Sequence, residues 1–333
     1  MYDESLNKGL RNLDNLTPVR DMEGNDVMNA SMLLKDYIQA WLETFKQNSI
    51  KSASYDRLLT SLTALERFSI AKMPIRDISY FDIQQYINEL VEKGYALTTI
   101  KKQTRIVTAP LKQAAAMRVI SADPSCGIVL PSQHKVKKKP KEVVAYTPDE
   151  QEMLRKVIDA SDKCGYRCVA LMMETGLRSG EALALDWSCV DIPRRRLKVT
   201  ATVVNLANRK QSFVQDSPKS LSSIRTIPLT DRAVEILLKL RETPGSWVFA
   251  SRNSHLSYEA LRYQTMTLCR EAGVPFYGEH VFRHTFATNC YYRGMDIKIL
   301  SKLLGHSDTS VTYNVYVNLY GDAFDEMYAA LNG

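Results

Sequence analysis

Residues 174–183 read ETGLRSGEAL, and residues 280–288 read HVFRHTFAT. Taken singly, neither is unusual. Arg178 follows Gly176 where an arginine at a helix start is ordinary, and His280 and Arg283 lie three apart, so on a helix they share one face and can cap or pair. Two more segments complete a set. SPKSLSSIRTIPL (217–229) carries Lys219, and LLGHSDTSVTYNVYVNL (303–319) carries His306 and Tyr316. Alone, the lysine reads as a solvated turn residue and His306 as a helix-start histidine after Gly305.

Together these residues answer one chemical need. Cleaving a phosphodiester with a protein nucleophile builds charge on two non-bridging oxygens, and fixed donors must hold it. Arginine suits that duty because its planar fork never loses its charge. The leaving sugar oxygen needs a proton, which a lysine or histidine within reach can supply. A tyrosine phenol, with a reference pKa of about 10, is more easily activated than a serine hydroxyl. One lysine, two arginines, two histidines and one tyrosine fit the task.

The four segments resemble the tyrosine recombinase (phage integrase) family. Its signature has an arginine in T-G-x-R-x-x-E, a lysine in a β-hairpin, H-x-x-R, and L-G-H followed by the nucleophilic tyrosine. TGLRSGE, the Lys219 segment, HVFR and LGHSDTSVTYNVY stand in that order, and the likeness spans roughly residues 30 to 320. The resemblance implies that Arg178 and Arg283 clamp the scissile phosphate and that His306 adds a hydrogen bond to it. It makes Lys219 the acid toward the 5′ oxygen, has His280 help take the tyrosine proton, and has Tyr316 joined to the 3′ phosphate. Glu181 would orient the site from behind. Tyr313 and Tyr316 share a helical face, but Tyr316 stands ten residues after His306, as the family spacing requires. The phosphotyrosine keeps the bond energy, so neither cofactor nor metal is expected. The implied partners are double-stranded DNA with specific recombination sites, further copies of the chain in a synaptic tetramer, and accessory DNA-bending or excisionase proteins. The family reading also points to integration and excision of a mobile element. A type IB topoisomerase-like relaxase and a catalytically silent DNA-binding relative are the alternatives.

Working outward, the fold reads as mostly α. Leu34, Tyr37, Ile38, Trp41 and Leu42 recur at helical spacing, as do Tyr55, Leu58, Leu59, Leu62, Leu65 and Phe68. A third helix is expected over Tyr80 to Glu92. A fourth begins near Thr98, with Pro110 expected to kink or break it. Thr147, Pro148 and Glu150 form a helix-start signal. Leu197 to Asn205 and Arg225 to Pro228 read as strands of one small antiparallel sheet, flanking a polar hairpin at Arg209 to Ser223. From Asp231 the pattern is helical to the end. The division is a flexible segment (1–29), a helical core-binding domain (30–130), a basic linker (131–145), a mainly α catalytic domain (146–320) and a tail helix (321–333), expected to dock on a neighbouring protomer. Residues 1–29 are too short for the extra arm-binding domain of larger integrases. The linker has almost nothing apolar. Its Lys135, Lys137, Lys138, Lys139 and Lys141 either solvate a connector or lie along phosphates; with Lys101, Lys102 and Arg105 of the fourth helix they are the candidate DNA contacts.

The bulk numbers agree. The chain has 333 residues, 45% of them hydrophobic, with a net charge of +7, which mildly favours a polyanionic partner. No apolar run is long enough to span a membrane and no secretory signal opens the chain, so a cytoplasmic protein is expected. The six cysteines form no C-x-x-C pair and no zinc set, and read as buried free thiols.

Overall fold

The computed structural model describes residues 19–20, 26–138, 143–205, 212–215, 224–241, 245–251, 254–306, 308–310 and 312–313. They divide into two units, one drawn from Met1–Lys141 and the other from Glu142–Asn205 and Arg209–Gly333.

In the first unit, each predicted apolar stripe becomes a helix that buries it. Helix α1 (Leu34–Phe45) turns Leu34, Tyr37, Ile38, Trp41 and Leu42 inward. Around it stand α2 (Ser52–Leu65), α3 (Tyr80–Glu92) and α4 (Leu97–Ala116). Ser79 and Asp82 close a capping box on α3, satisfying backbone donors that a helix start leaves open. Trp41 Nε1 donates to Gln113 Oε1 at 2.9 Å, so the polar tip of a buried indole is met inside the unit.

Three expectations need correction here. Pro110 does not break α4, which runs on to Ala116. A proline removes one N–H, so only the carbonyl of Ile106 loses its intrahelical donor, and the buried Pro110 ring packs where a side chain would. The lead-in is not featureless up to residue 29. β1 (Val19–Arg20) pairs antiparallel with β2 (Asp26–Met28), and Met28 is fully buried in the helical core. The basic linker is not purely solvated either. Val136 packs into the same core while Lys135, Lys137 and Lys138 on either side stay exposed. One apolar side chain among lysines is too little for a sequence pattern, yet burying it is enough to fix where the run lies.

The second unit starts at the predicted signal. Thr147 Oγ1 accepts from the Glu150 backbone, Pro148 opens the helix, and α5 (Pro148–Asp159) follows. Next comes α6 (Cys164–Thr175), buried on nearly every face, with Tyr166, Cys168, Val169, Ala170, Leu171, Met172 and Met173 all inward. A helix apolar all round must lie at the centre of its domain. Accordingly α6 packs against α5, α7 (Ser179–Leu183), α8 (Asp231–Leu240), α9 (Tyr258–Ala272) and α10 (His280–Tyr292). Helix α11 (Ile297–Leu304) packs on α10.

The β-structure is divided rather than forming one sheet. β3 (Val190–Asp191), β4 (Arg196–Val199) and β7 (Arg225–Pro228) form a three-stranded sheet, in which Val199 pairs with Arg225 and Leu197 with Ile227. The expected strand 197–205 breaks at Thr200–Ala201. Its second half, β5 (Thr202–Asn205), pairs instead with β6 (Ser212–Gln215). Apolar alternation runs unbroken through Leu197, Val199, Ala201 and Val203, so only the choice of partner strand reveals the break. The stretch after Asp231 is not wholly helical: β8 (Ala250–Ser251) and β9 (Ser254–His255) form a hairpin too short to show a period. The free thiols are not all buried: Cys168, Cys269 and Cys290 are, Cys164 and Cys189 are partly covered, and Cys126 is exposed.

Candidate active site

Two left-handed turns shape the site. Helix α6 ends on Gly176, at φ +66°, where any Cβ would run into the ring of Phe286. Glycine therefore lets the chain reverse sharply and deliver Arg178 as the residue capping α7. Helix α11 ends the same way on Gly305, at φ +69°, and His306 emerges from it. The first turns of α10 put His280, Arg283 and His284 on one face.

These elements bring four of the predicted residues together. Arg283 is 1% exposed. It donates through Nη1 to the Gly176 carbonyl at 2.9 Å, and through Nη2 to the Leu304 carbonyl at 2.7 Å and His306 Nε2 at 2.8 Å. An arginine N–H only donates, so His306 Nε2 is the acceptor and Nδ1 carries the proton. That proton points to Thr312 Oγ1 at 2.8 Å, and Thr312 is fully buried. Arg178 keeps a third of its side chain exposed and donates to Gly305 O at 3.4 Å. The carbonyls closing α6 and α11 thus hold both arginines.

Behind Arg178 lies a carboxylate with every lone pair engaged. Glu181 Oε1 accepts from Arg178 Nη1 at 2.6 Å and Arg225 Nη1 at 3.1 Å. Oε2 accepts from the Arg178 backbone at 3.0 Å and Arg225 Nη2 at 2.8 Å. Burial pushes the Glu181 carboxyl up, but the hydrogen bonds and charge of Arg225, with the charge of Arg178, outweigh it and bring it down to about 2. Two guanidinium groups therefore hold one ionised carboxylate, and with Arg283 as a third arginine beside it the described part of the site is net positive.

The histidines are neutral. Burial, then His284, Arg283 and Arg178, lower His280 to about 4, although water on its exposed face tempers this. Burial and Arg283 lower His284 to about 4. His306 falls to about 3, through burial and then the charges of Arg283 and Arg178. The His280 and His284 rings meet edge to face at 4.8 Å. Neutral imidazoles can accept a proton, and their cationic surroundings are suited to an anion.

Lys219 and Tyr316 lie outside the described residues, as do Lys139, Lys141 and the tail 321–333. Tyr313 is described and is 53% exposed. Lys101, Lys102 and Arg105 occupy the exposed face of α4, while Lys135, Lys137 and Lys138 flank Val136, all within the first unit. Sequence reasoning missed Arg225, His284 and Thr312. Arg225 did leave a signal: it precedes Ile227 by two in a strand, so both share the inward face, and a buried arginine demands a carboxylate. Thr312 left none. Among the described residues, no group of three or more His, Cys, Asp or Glu could hold a metal ion, and no helix is long and apolar enough to cross a membrane.

The site can be set beside known proteins. An XerC-like tyrosine recombinase of Caldanaerobacter subterraneus subsp. tengcongensis is 26% identical over 325 residues, covering 89% of this chain and 82% of that protein. The ICEBs1 integrase of Bacillus subtilis is 21% identical, covering 77% of this chain and 71% of that one. Among solved structures, the Tn1549 transposon integrase in complex with transposon right end DNA has the same fold, with a TM-score of 0.76 at 20% identity over 90% of this chain and 99% of that one. The phage integrase family profile matches residues 145–322, more than half the chain and the whole of the site described above, so the chain belongs to the phage integrase family of tyrosine recombinases, enzymes that break and rejoin DNA strands.

Proposed function

We propose that this chain is a site-specific recombinase that integrates and excises a mobile element, acting in the cytoplasm on double-stranded DNA through a 3′-phosphotyrosyl intermediate. The observation that carries the reading is the convergence of Arg178, Arg283, His280 and His306 from three separate chain segments, in family order, around a net positive site. Likeness to a protein named as an integrase, the ICEBs1 integrase, supports the integration part of this reading.

In this reading the Tyr316 phenol oxygen attacks the scissile phosphorus, and its proton passes to neutral His280. The P–O5′ bond breaks, and Lys219 protonates the departing oxygen. Arg178 and Arg283 hold the charge that grows on the non-bridging oxygens. His306 Nε2 now accepts from Arg283. To donate to the phosphate it must take up a proton, a change that the phosphate's own charge favours and that the bond to Thr312 Oγ1 tolerates, since Nδ1 donates in both forms. A 5′ hydroxyl from the partner strand reverses the sequence. Two duplexes contain four strands, and each needs its own tyrosine, so exchange calls for four protomers; accessory DNA-bending or excisionase proteins would set its direction.

The test uses nicked duplexes drawn from a random-sequence pool by binding to the full chain. The wild type should accumulate a covalent adduct that mass spectrometry maps to Tyr316. Tyr316→Phe should bind DNA and form no adduct, whereas Tyr313→Phe should still form one. An adduct on Tyr313 would overturn the nucleophile while keeping the reaction class, and relaxation without exchanged strands would point to a topoisomerase.

A further inference from the structure

Arg225 opens β7, and its side chain is 5% exposed. Its guanidinium reaches two parts of the site at once. Nη1 and Nη2 bind both oxygens of Glu181, the carboxylate that also holds the backbone and side chain of Arg178. Nε donates at 2.7 Å to the carbonyl of Leu303, in the last turn of α11. We infer that Arg225 is a positioning residue for strand cleavage: it fixes the carboxylate behind Arg178 and the helix end that presents His306 in one geometry.

Neutralising Glu181 does not account for this arrangement. Arg178 already pairs with that carboxylate at 2.6 Å, and charge balance needs no contact with α11. The Leu303 carbonyl is one of those that a helix end leaves without an intrahelical donor, and Arg225 satisfies it. The fit continues next door: a Cβ at position 305 would stand 3.0 Å from Arg225 Cδ, so the Gly305 turn lies flush against this stem. The anchor itself is stiff, because Arg225 pairs with Val199 inside the three-stranded sheet. A lysine could keep one ion pair but not the fork plus the third donor. A displacement of about 1 Å at a reacting group costs on the order of 100-fold in rate.

The inference rests on the strand-cleavage reading, and its test separates the two. Single-turnover adduct formation by the full chain is measured on a nicked duplex with an ordinary scissile phosphate and on one with a methylphosphonate, which is uncharged and needs less help from a cationic clamp. Arg225→Lys should slow the ordinary duplex about 100-fold and the methylphosphonate less than about 10-fold. Both rates come from the same folded fraction, so partial unfolding cancels in their ratio. Ile227→Ala, a core truncation two residues along the same strand, should leave that ratio at its wild-type value. Equal slowing of both duplexes in Arg225→Lys would sink the positioning role and leave only a structural ion pair. A wild type that forms no adduct on the ordinary duplex would instead overturn the strand-cleavage reading itself.

Discussion

His306 is held from both sides, by an Arg283 donor on Nε2 and by Thr312 Oγ1 on Nδ1, in surroundings that keep the ring neutral. Its stability consequence has a definite sign. In an unfolded chain a histidine titrates near 6.5; here His284 and His306 are lowered to about 4 and about 3, first by burial and then by Arg283. A group whose folded pKa is depressed contributes stability that is intact above the unfolded value and is lost as pH falls toward the folded one. The urea midpoint should therefore fall steadily from about pH 6.5 to about pH 4, each histidine shifting the unfolding equilibrium by at most about tenfold per pH unit. His284→Phe should flatten that slope by one proton; an unchanged slope would show that His284 is protonated in the folded protein. Glu181, brought down to about 2, adds a separate loss, which begins as pH falls into the ordinary carboxylate range and continues down to about 2.

Elements carry the geometry of the candidate site through their ends more than through their lengths. Arg178 and His306 both follow helices closed by left-handed glycines, and Arg283 donates to carbonyls at both closures, Gly176 and Leu304. Gly176→Ala would add the cost of a left-handed alanine to a collision with Phe286. We expect a loss of about 2 kcal/mol, read as a fall of about 4–8 °C in melting temperature. Adduct formation by the protein that remains folded should fall as well, because the turn delivers Arg178. A melting temperature within a degree of wild type would mean that the turn relaxes freely. Helix α6 shows the complementary case: its apolar character on every face leaves only a central position, and the site is assembled around the end of that buried helix.

At the scale of the molecule, the charge of +7 takes effect through where the cations stand. Val136 draws the lysine run onto the first unit, leaving Lys135, Lys137 and Lys138 exposed, and α4 exposes Lys101, Lys102 and Arg105. If these groups neutralise DNA phosphates, replacing Lys137, Lys138 and Lys139 by Ala should weaken binding to every sequence alike. It should also reduce the slope of log K against log salt by roughly 0.9 for each phosphate no longer neutralised. Binding with an unaltered slope would assign the lysines to solvation alone.

The residue order alone carried the helical stripes, the capped start at Thr147 and the family motifs, because these are local patterns: a period, a cap, a set of spacings. It also named the chemistry, since the residue types that can clamp, protonate and attack a phosphodiester are few. What it left open were the long-range choices. The apolar alternation from Leu197 to Val203 does not say that β4 and β5 pair with different strands. One valine among lysines does not say that it is core. Arg225 could be read as inward-facing, but its partners Glu181 and Leu303 lie 44 and 78 residues away. A buried charge finds its partner only when separate elements pack. The tertiary structure therefore decided how the site is held together and which further residues, Arg225, His284 and Thr312, join it, whereas local sequence named only the motif residues.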